Sequence, residues 1–167
     1  MKSVSAGIFT LLLLIFNAHA QSTSVSSADI EVLEGEKWIG NLTYLDYGSG
    51  KRTRISSNLI VSRKVGSPNV WLFAFEYPDE PKANDTAEVA LAEDGRTING
   101  ESVVETRRTT NNALLLVVTT KPGTDNGHKA MLRYSYLIGK RSFAIKKEVQ
   151  VEGTTDWFTR NEFSWSR

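Results

Sequence analysis

The amino-acid sequence predicts an all-β protein, an antiparallel up-and-down meander of about 8–10 strands that closes into a small barrel. Three observations carry this. Apolar and polar residues alternate with period two in segment after segment. The segments are joined by short turns rich in glycine and asparagine. Beyond the first twenty residues no stretch shows a helical repeat. A two-layered sandwich satisfies the same pattern, but sequential hairpins favour a meander, and closing it removes its exposed edges.

The N-terminus sets the compartment. Met1-Lys2, an apolar run from Ala6 to Phe16 and the small-residue site Ala18-His19-Ala20 are the parts of a secretory signal peptide. The run is about half of the ~20 residues that span a membrane as a helix. Residues 1–20 are therefore read as a signal peptide cleaved after Ala20, residues 21–30 as a flexible leader and 31–167 as the barrel domain. The chain has 167 residues with 20 Lys+Arg, 19 Asp+Glu and no cysteine. Cleavage removes Lys2 and no acid, so the mature protein is formally neutral. Such a balance gives no basic stripe for nucleic acid. An exported domain of this size without disulfides fits a bacterial periplasm or the extracellular space.

Trp38 to Tyr47 alternates with Trp38, Gly40, Leu42 and Tyr44 on one face, and Gly48-Ser49-Gly50 turns it back. Arg52 to Val65 follows, then the turn Gly66-Ser67-Pro68-Asn69, then Val70 to Tyr77 with Trp71, Phe73, Phe75 and Tyr77 in phase. Pro78 to Asp85, with two prolines among charges, is the longest loop. Thr86 to Ala92 reads as strand or short helix. Asp94-Gly95 and Asn99-Gly100 are hairpin turns flanking a short strand at 96–98. Glu101 to Thr109 is charged and β-branched, Asn111-Asn112 turns it, and Ala113 to Thr120 is nearly continuously apolar. After a loop at 122–127 come Lys129 to Ile138, Ser142 to Val151 and Trp157 to Trp165.

Gly35 and Trp38 in the first strand, the stretch Leu42 to Lys51 and the closing Phe158 to Trp165 resemble calycin (lipocalin-like) barrels, in particular exported bacterial lipocalin-like proteins. Two residues separate Gly35 from Trp38 here, against one in the family. The resemblance implies that an arginine of the last strand covers the Trp38 indole, closing the barrel with a cation–π contact of roughly 0.5–2 kcal/mol. Arg160 is the first choice and Arg167 the second. The alternative leaves Arg160 a solvated strand residue.

Little in the chain supports catalysis, and the expectation is that it is no enzyme. His128 is the single histidine after the signal peptide, and with no cysteine it makes neither a zinc site nor a nucleophile–base pair. Glu101 and Glu105 share a strand face about 13 Å apart, too far for a glycosidase pair. No metal or cofactor is expected. The aromatic residues are the more informative signal. A barrel of about eight strands is filled by side chains or holds one small ligand, and Tyr44, Phe73, Phe75, Tyr134 and Tyr136 are the expected lining for a small apolar or amphipathic ligand. The bland alternative is that they fill the core. Arg107 and Arg133 are expected to face water. The competing function is a protein-interaction module, an inhibitor or envelope assembly factor, using loops 78–85 and 121–128. An outer-membrane barrel is disfavoured, because Glu101 to Arg108 puts charge on both strand faces.

Overall fold

The structure is a computed structural model and describes residues 23–109 and 114–167. The expected signal peptide with its expected cleavage site, and the expected Asn111-Asn112 turn, lie outside the described residues. Ten strands run in chain order: β1 (Trp38–Asp46), β2 (Lys51–Arg63), β3 (Val70–Glu76), β4 (Asp85–Ala90), β5 (Thr97–Ile98), β6 (Glu101–Arg108), β7 (Leu114–Asp125), β8 (His128–Gly139), β9 (Ser142–Val151) and β10 (Phe158–Ser166). They form one sheet in the order β4-β3-β2-β1-β10-β9-β8-β7-β6-β5, every pair antiparallel. The first and last strands are neighbours, with Gly40 opposite Trp165 and Leu42 opposite Phe163. That pairing excludes the two-layered sandwich.

The ring is nearly closed at β4 and β5. A single bridge joins Leu91 to Ile98. Ala92 N–H donates to Thr97 O at 3.0 Å, and Asn99 N–H to Ala90 O at 2.8 Å. Asn99 can do this because it turns with φ 53° and is followed by Gly100 at 75°, the left-handed pair of a tight hairpin. The segment left open between strand and helix is therefore strand β4, as cross-strand pairing with Val70–Phe75 requires. Pro122, expected in a loop, continues β7 opposite Met131. It is tolerated because β6 has already ended, so no partner on that side calls for its missing N–H.

The leader is corrected. Part of the segment 21–30 is ordered: Ser27–Glu31 is a short helix, α1, and it plugs one end of the barrel. Asp29 reaches back to accept from Ser26 N–H at 2.9 Å and Ser26 Oγ at 2.8 Å, a local cap that holds a helix too short to persist alone. Val25, Ile30 and Leu33 are buried in the same core as Trp38 and Trp71. Small polar residues hid this, since Val25, Ala28, Ile30, Val32 and Leu33 are scattered among serines and acids without a helical period.

The barrel closure is also corrected. Arg167, not Arg160, lies over Trp38, at 4.2 Å from the ring centre. Ser166 pairs with Ile39, so the next position stands opposite Trp38, while Arg160 lies at the far end of the strand. Arg167 also donates to Glu34 O at 3.0 Å, Val32 O at 2.6 Å and Lys140 O at 3.1 Å. Trp38 in turn donates its indole N–H to Leu33 O at 2.8 Å. Helix, first strand and last strand are thereby tied at one point.

The outward positions Arg52, Arg54, Glu88, Arg107 and Glu162 are exposed charges, so the outside offers no continuous apolar band. No helix among the described residues is long and apolar enough to cross a membrane. Arg167→Ala removes three charge-assisted donors and the ring contact together. Chemical denaturation should show it about 2–3 kcal/mol less stable than the parent protein, with Arg167→Lys recovering only part because an ammonium lacks the planar fork.

Candidate functional site

Inward-facing residues divide the barrel into two unlike halves. Toward α1, Trp38, Leu59, Val61, Trp71, Phe73, Val117, Phe143 and Trp165 are all buried, none more than 3% exposed. Phe143 meets Trp38 and Phe73 edge-on at 6.1 and 6.0 Å and stacks on Trp165 at 5.3 Å. This half is solid. Toward the other end the inward phase is mixed: Leu42, Ile55, Phe75, Phe163, Ile145 and Tyr136 are only partly buried, whereas Leu132 and Val149 are buried in a second, smaller cluster with Tyr134 and Phe158. Leu42 and Ile55, on the β1–β2 side of this end, are the inward apolar residues that border open space at the rim.

At the mouth of this half lies a cavity of about 330 Å³ lined by Leu42, Tyr44, Ile55, Tyr77, Arg160 and Asn161, with Glu80 and Ala83 over it. The 78–85 segment that supplies Glu80 and Ala83 carries a single 3-10 turn at Pro81–Ala83 and is pinned by Asn84 accepting from Tyr77 N–H at 2.7 Å. Burial, with the Asp85 charge, raises the Tyr77 hydroxyl above its ordinary value.

Charged groups inside the upper half come in two sets. On the β6–β8 wall Lys121 pairs with Glu101 and sits over the Tyr134 ring at 5.4 Å, while Thr119 donates to Glu101 at 3.2 Å. Burial chiefly, then the Glu101 charge, pushes the neighbouring Tyr136 hydroxyl well above the ordinary phenol range. The second set crosses the mouth. Tyr47, in the β1–β2 turn, donates to Asp125 at the end of β7, although β10, β9 and β8 lie between those strands in the sheet. Lys147 reaches Asp125 at 3.1 Å, Arg160 at 3.7 Å, and the Arg160 guanidinium covers the Tyr47 ring at 4.4 Å. Arg160 is anchored by donating to Leu45 O at 2.5 Å. Two cations share one carboxylate in this strap, and at the cavity itself Arg160 is the one cation of a lining that also holds the Glu80 carboxylate.

Arg160 owes its direction to a β-bulge. The β9–β10 register slips between Thr159 and Asn161, leaving Arg160 as the extra residue. Strict alternation with Asn161, Phe163 and Trp165 would aim it at solvent, and the bulge turns it into the mouth. A second bulge between Val103 and Glu105 overturns another expectation. Glu101 faces Lys121 inside, whereas Glu105 is outside beside Arg107 at 3.8 Å, so the two carboxylates do not share a face.

Of the expected lining residues, Tyr44 borders the cavity and Phe75 faces the open space, 5.3 Å from Phe163. Tyr134 and Tyr136 stand on the opposite wall. Phe73 is corrected: it is 2% exposed in the solid half and lines no cavity, being one step nearer the plug than Phe75. His128 is exposed at the β7–β8 turn, and Arg133 faces outward, paired with Glu148 at 3.0 Å. The segment 121–128 is the tip of the β7–β8 hairpin, not a free loop. Lys121 and Lys147 are further inward cations, and the sequence signals both by phase. Each continues an apolar phase, Leu115-Val117-Thr119-Lys121 and Phe143-Ile145-Lys147-Val149, and a lysine in such a phase points inward.

No protein-family model matches the chain, and no curated protein sequence matches it. Among solved structures it is similar to Rv2717c from M. tuberculosis, with a TM-score of 0.56 and 11% identity over 86% of this chain and 98% of that one. The shared feature is the barrel fold.

Tyr47 reports on the strap. Burial first, then its hydrogen bond to Asp125 and that group's charge, push its hydroxyl from 10.0 up to about 12. Subtracting the ultraviolet titration of Tyr47→Phe from that of the parent should show one phenol ionising near that value. In Asp125→Asn the same difference should move down toward the ordinary phenol value.

Proposed function

We propose that the protein is an exported binding protein whose half-hollow barrel holds a small amphipathic molecule, its acidic head at the mouth and its apolar body inside. The observation that carries this is the incomplete burial of the inward-facing Leu42, Ile55, Phe75 and Phe163 next to a mouth that presents the Arg160 guanidinium. An apolar wall with a few convergent polar groups is what a small-molecule site requires. Arg160 supplies the charge, with its position set by Leu45 O and the Tyr47 ring. Asn161 and the Tyr44 hydroxyl supply neutral hydrogen-bonding partners at the same rim. An acid binding here replaces part of what Arg160 offers Asp125, a contact already long at 3.7 Å. The role is binding rather than catalysis. The proposed setting, periplasm or extracellular space, follows from the N-terminal segment.

Dodecanoate is a suitable probe because Trp165 stacks on Phe163 at 5.0 Å and its fluorescence senses the space above. Titration should give saturable quenching or enhancement in the parent protein. Arg160→Gln should weaken binding about tenfold or more, the size of one charge-assisted hydrogen bond. Unchanged affinity in that variant removes Arg160 from the site.

A further inference from the structure

The mouth cavity is charged on two sides, with opposite signs. Arg160 enters its lining from β10, and Glu80 from the segment between β3 and β4. The two line one space without meeting. Arg160 is engaged by Leu45 O, the Tyr47 ring and, at 3.7 Å, Asp125. Among the described residues no hydrogen bond or ion pair engages the Glu80 carboxylate. Its place over the cavity is nonetheless set. Glu80 N–H donates to Tyr77 O at 3.0 Å, and Glu80 O accepts from Ala83 N–H at 2.8 Å, so two successive turns fix where the residue leaves the chain. The segment 78–85 carries three carboxylates, Asp79, Glu80 and Asp85, against the single cation Lys82. Its charge reaches the cavity: after burial, the Asp85 carboxylate is what raises the hydroxyl of Tyr77, which lines the same space.

A bare carboxylate suits this arrangement poorly. Coulomb energy falls only as the inverse of distance, so opposite charges lining one small cavity largely cancel for a monovalent ion between them. What Arg160 offers an acid, Glu80 opposes. A bare amine meets the reverse. A molecule that carries both charges gains at each wall. We infer that the ligand is zwitterionic: its carboxylate pairs with Arg160, an ammonium group next to that carboxylate pairs with Glu80, and its apolar side chain lies against Leu42 and Ile55. The chemical class is an α-amino acid with a large apolar side chain. Charge-assisted contacts of about 2.8 Å on either side of one amino-acid head suit a cavity of about 330 Å³, at the small end of ligand sites. This rests on the proposed acid-binding mouth and deepens it by naming the second charge.

The test compares 2-aminododecanoic acid with dodecanoic acid at neutral pH, by calorimetry on the whole protein. The two share a tail and an acid and differ by one ammonium group. The parent should bind the amino acid about fivefold more tightly, the upper end for an ion pair at an exposed carboxylate. Glu80→Gln should abolish that preference and leave dodecanoate affinity unchanged or improved, because the like charge is gone. Glu36→Gln, an equal change of net charge at the plugged end, should keep the preference. Equal affinities for the two compounds in the parent would overturn the zwitterion inference while leaving the acid-binding mouth in place. A preference that survives Glu80→Gln would also overturn it, by placing the ammonium group elsewhere. Loss of the preference in both variants would overturn it too, since overall charge and not Glu80 would then set it. Failure of both compounds to bind would remove the mouth and this inference together.

Discussion

Trp38 sits where the first and last strands meet, and its surroundings decide what the rest of the barrel can be. Its indole N–H is taken by Leu33, its face by Arg167 and its edge by Phe143. With that junction locked, β1 and β10 are held in a register that puts Gly40 against Trp165 and Leu42 against Phe163. The large aromatic rings are thereby stacked at one end. At the mouth a cavity of about 330 Å³ remains beside Leu42 and Ile55. Concentrating the bulk near α1 leaves the shortage at the mouth.

The polar groups follow the same division. At the plugged end Glu34 is used structurally, accepting from Trp71 at 2.7 Å and from Arg63 at 3.0 Å, and Asp29 pairs with Arg108 at 2.5 Å. Asp29 shows the balance at work: burial acts to raise it, and hydrogen bonds from Arg108 and Ser26 outweigh that and hold it below 3.8. A carboxyl lowered on folding stabilises the fold above its unfolded value, and that contribution is lost as pH falls through the folded one. The plug is thus an acid-sensitive element, while the strap of Tyr47, Asp125, Lys147 and Arg160 spans the opposite end. One end of the barrel is sealed by packing, the other merely bridged.

The architecture was legible because its signals are local. Alternation in Trp38–Tyr44 and Val70–Tyr77 gave the strand phases, and Asn99-Gly100 and Asn126-Gly127 supply the left-handed turns that two-residue hairpins need. What failed to show were features set by context. α1 is too short to have a period and exists because Val25, Ile30 and Leu33 find a barrel end to cover. The two bulges shift phase by one residue without any glycine or proline to mark them, which hid the inward turn of Arg160 and the separation of Glu101 from Glu105. The arginine over Trp38 depended on register alone, and counting from Gly40–Trp165 selects Arg167.

The division into a packed half and an unfilled half is the claim on which the binding role stands, and xenon reports it without presupposing a ligand, since it enters dry apolar cavities. A crystal of the protein under xenon pressure should show an atom among Leu42, Ile55, Phe75 and Phe163, and none among Trp38, Leu59, Phe73 and Phe143. Xenon below Trp165, or an upper half closed by repacked side chains, would contradict the account.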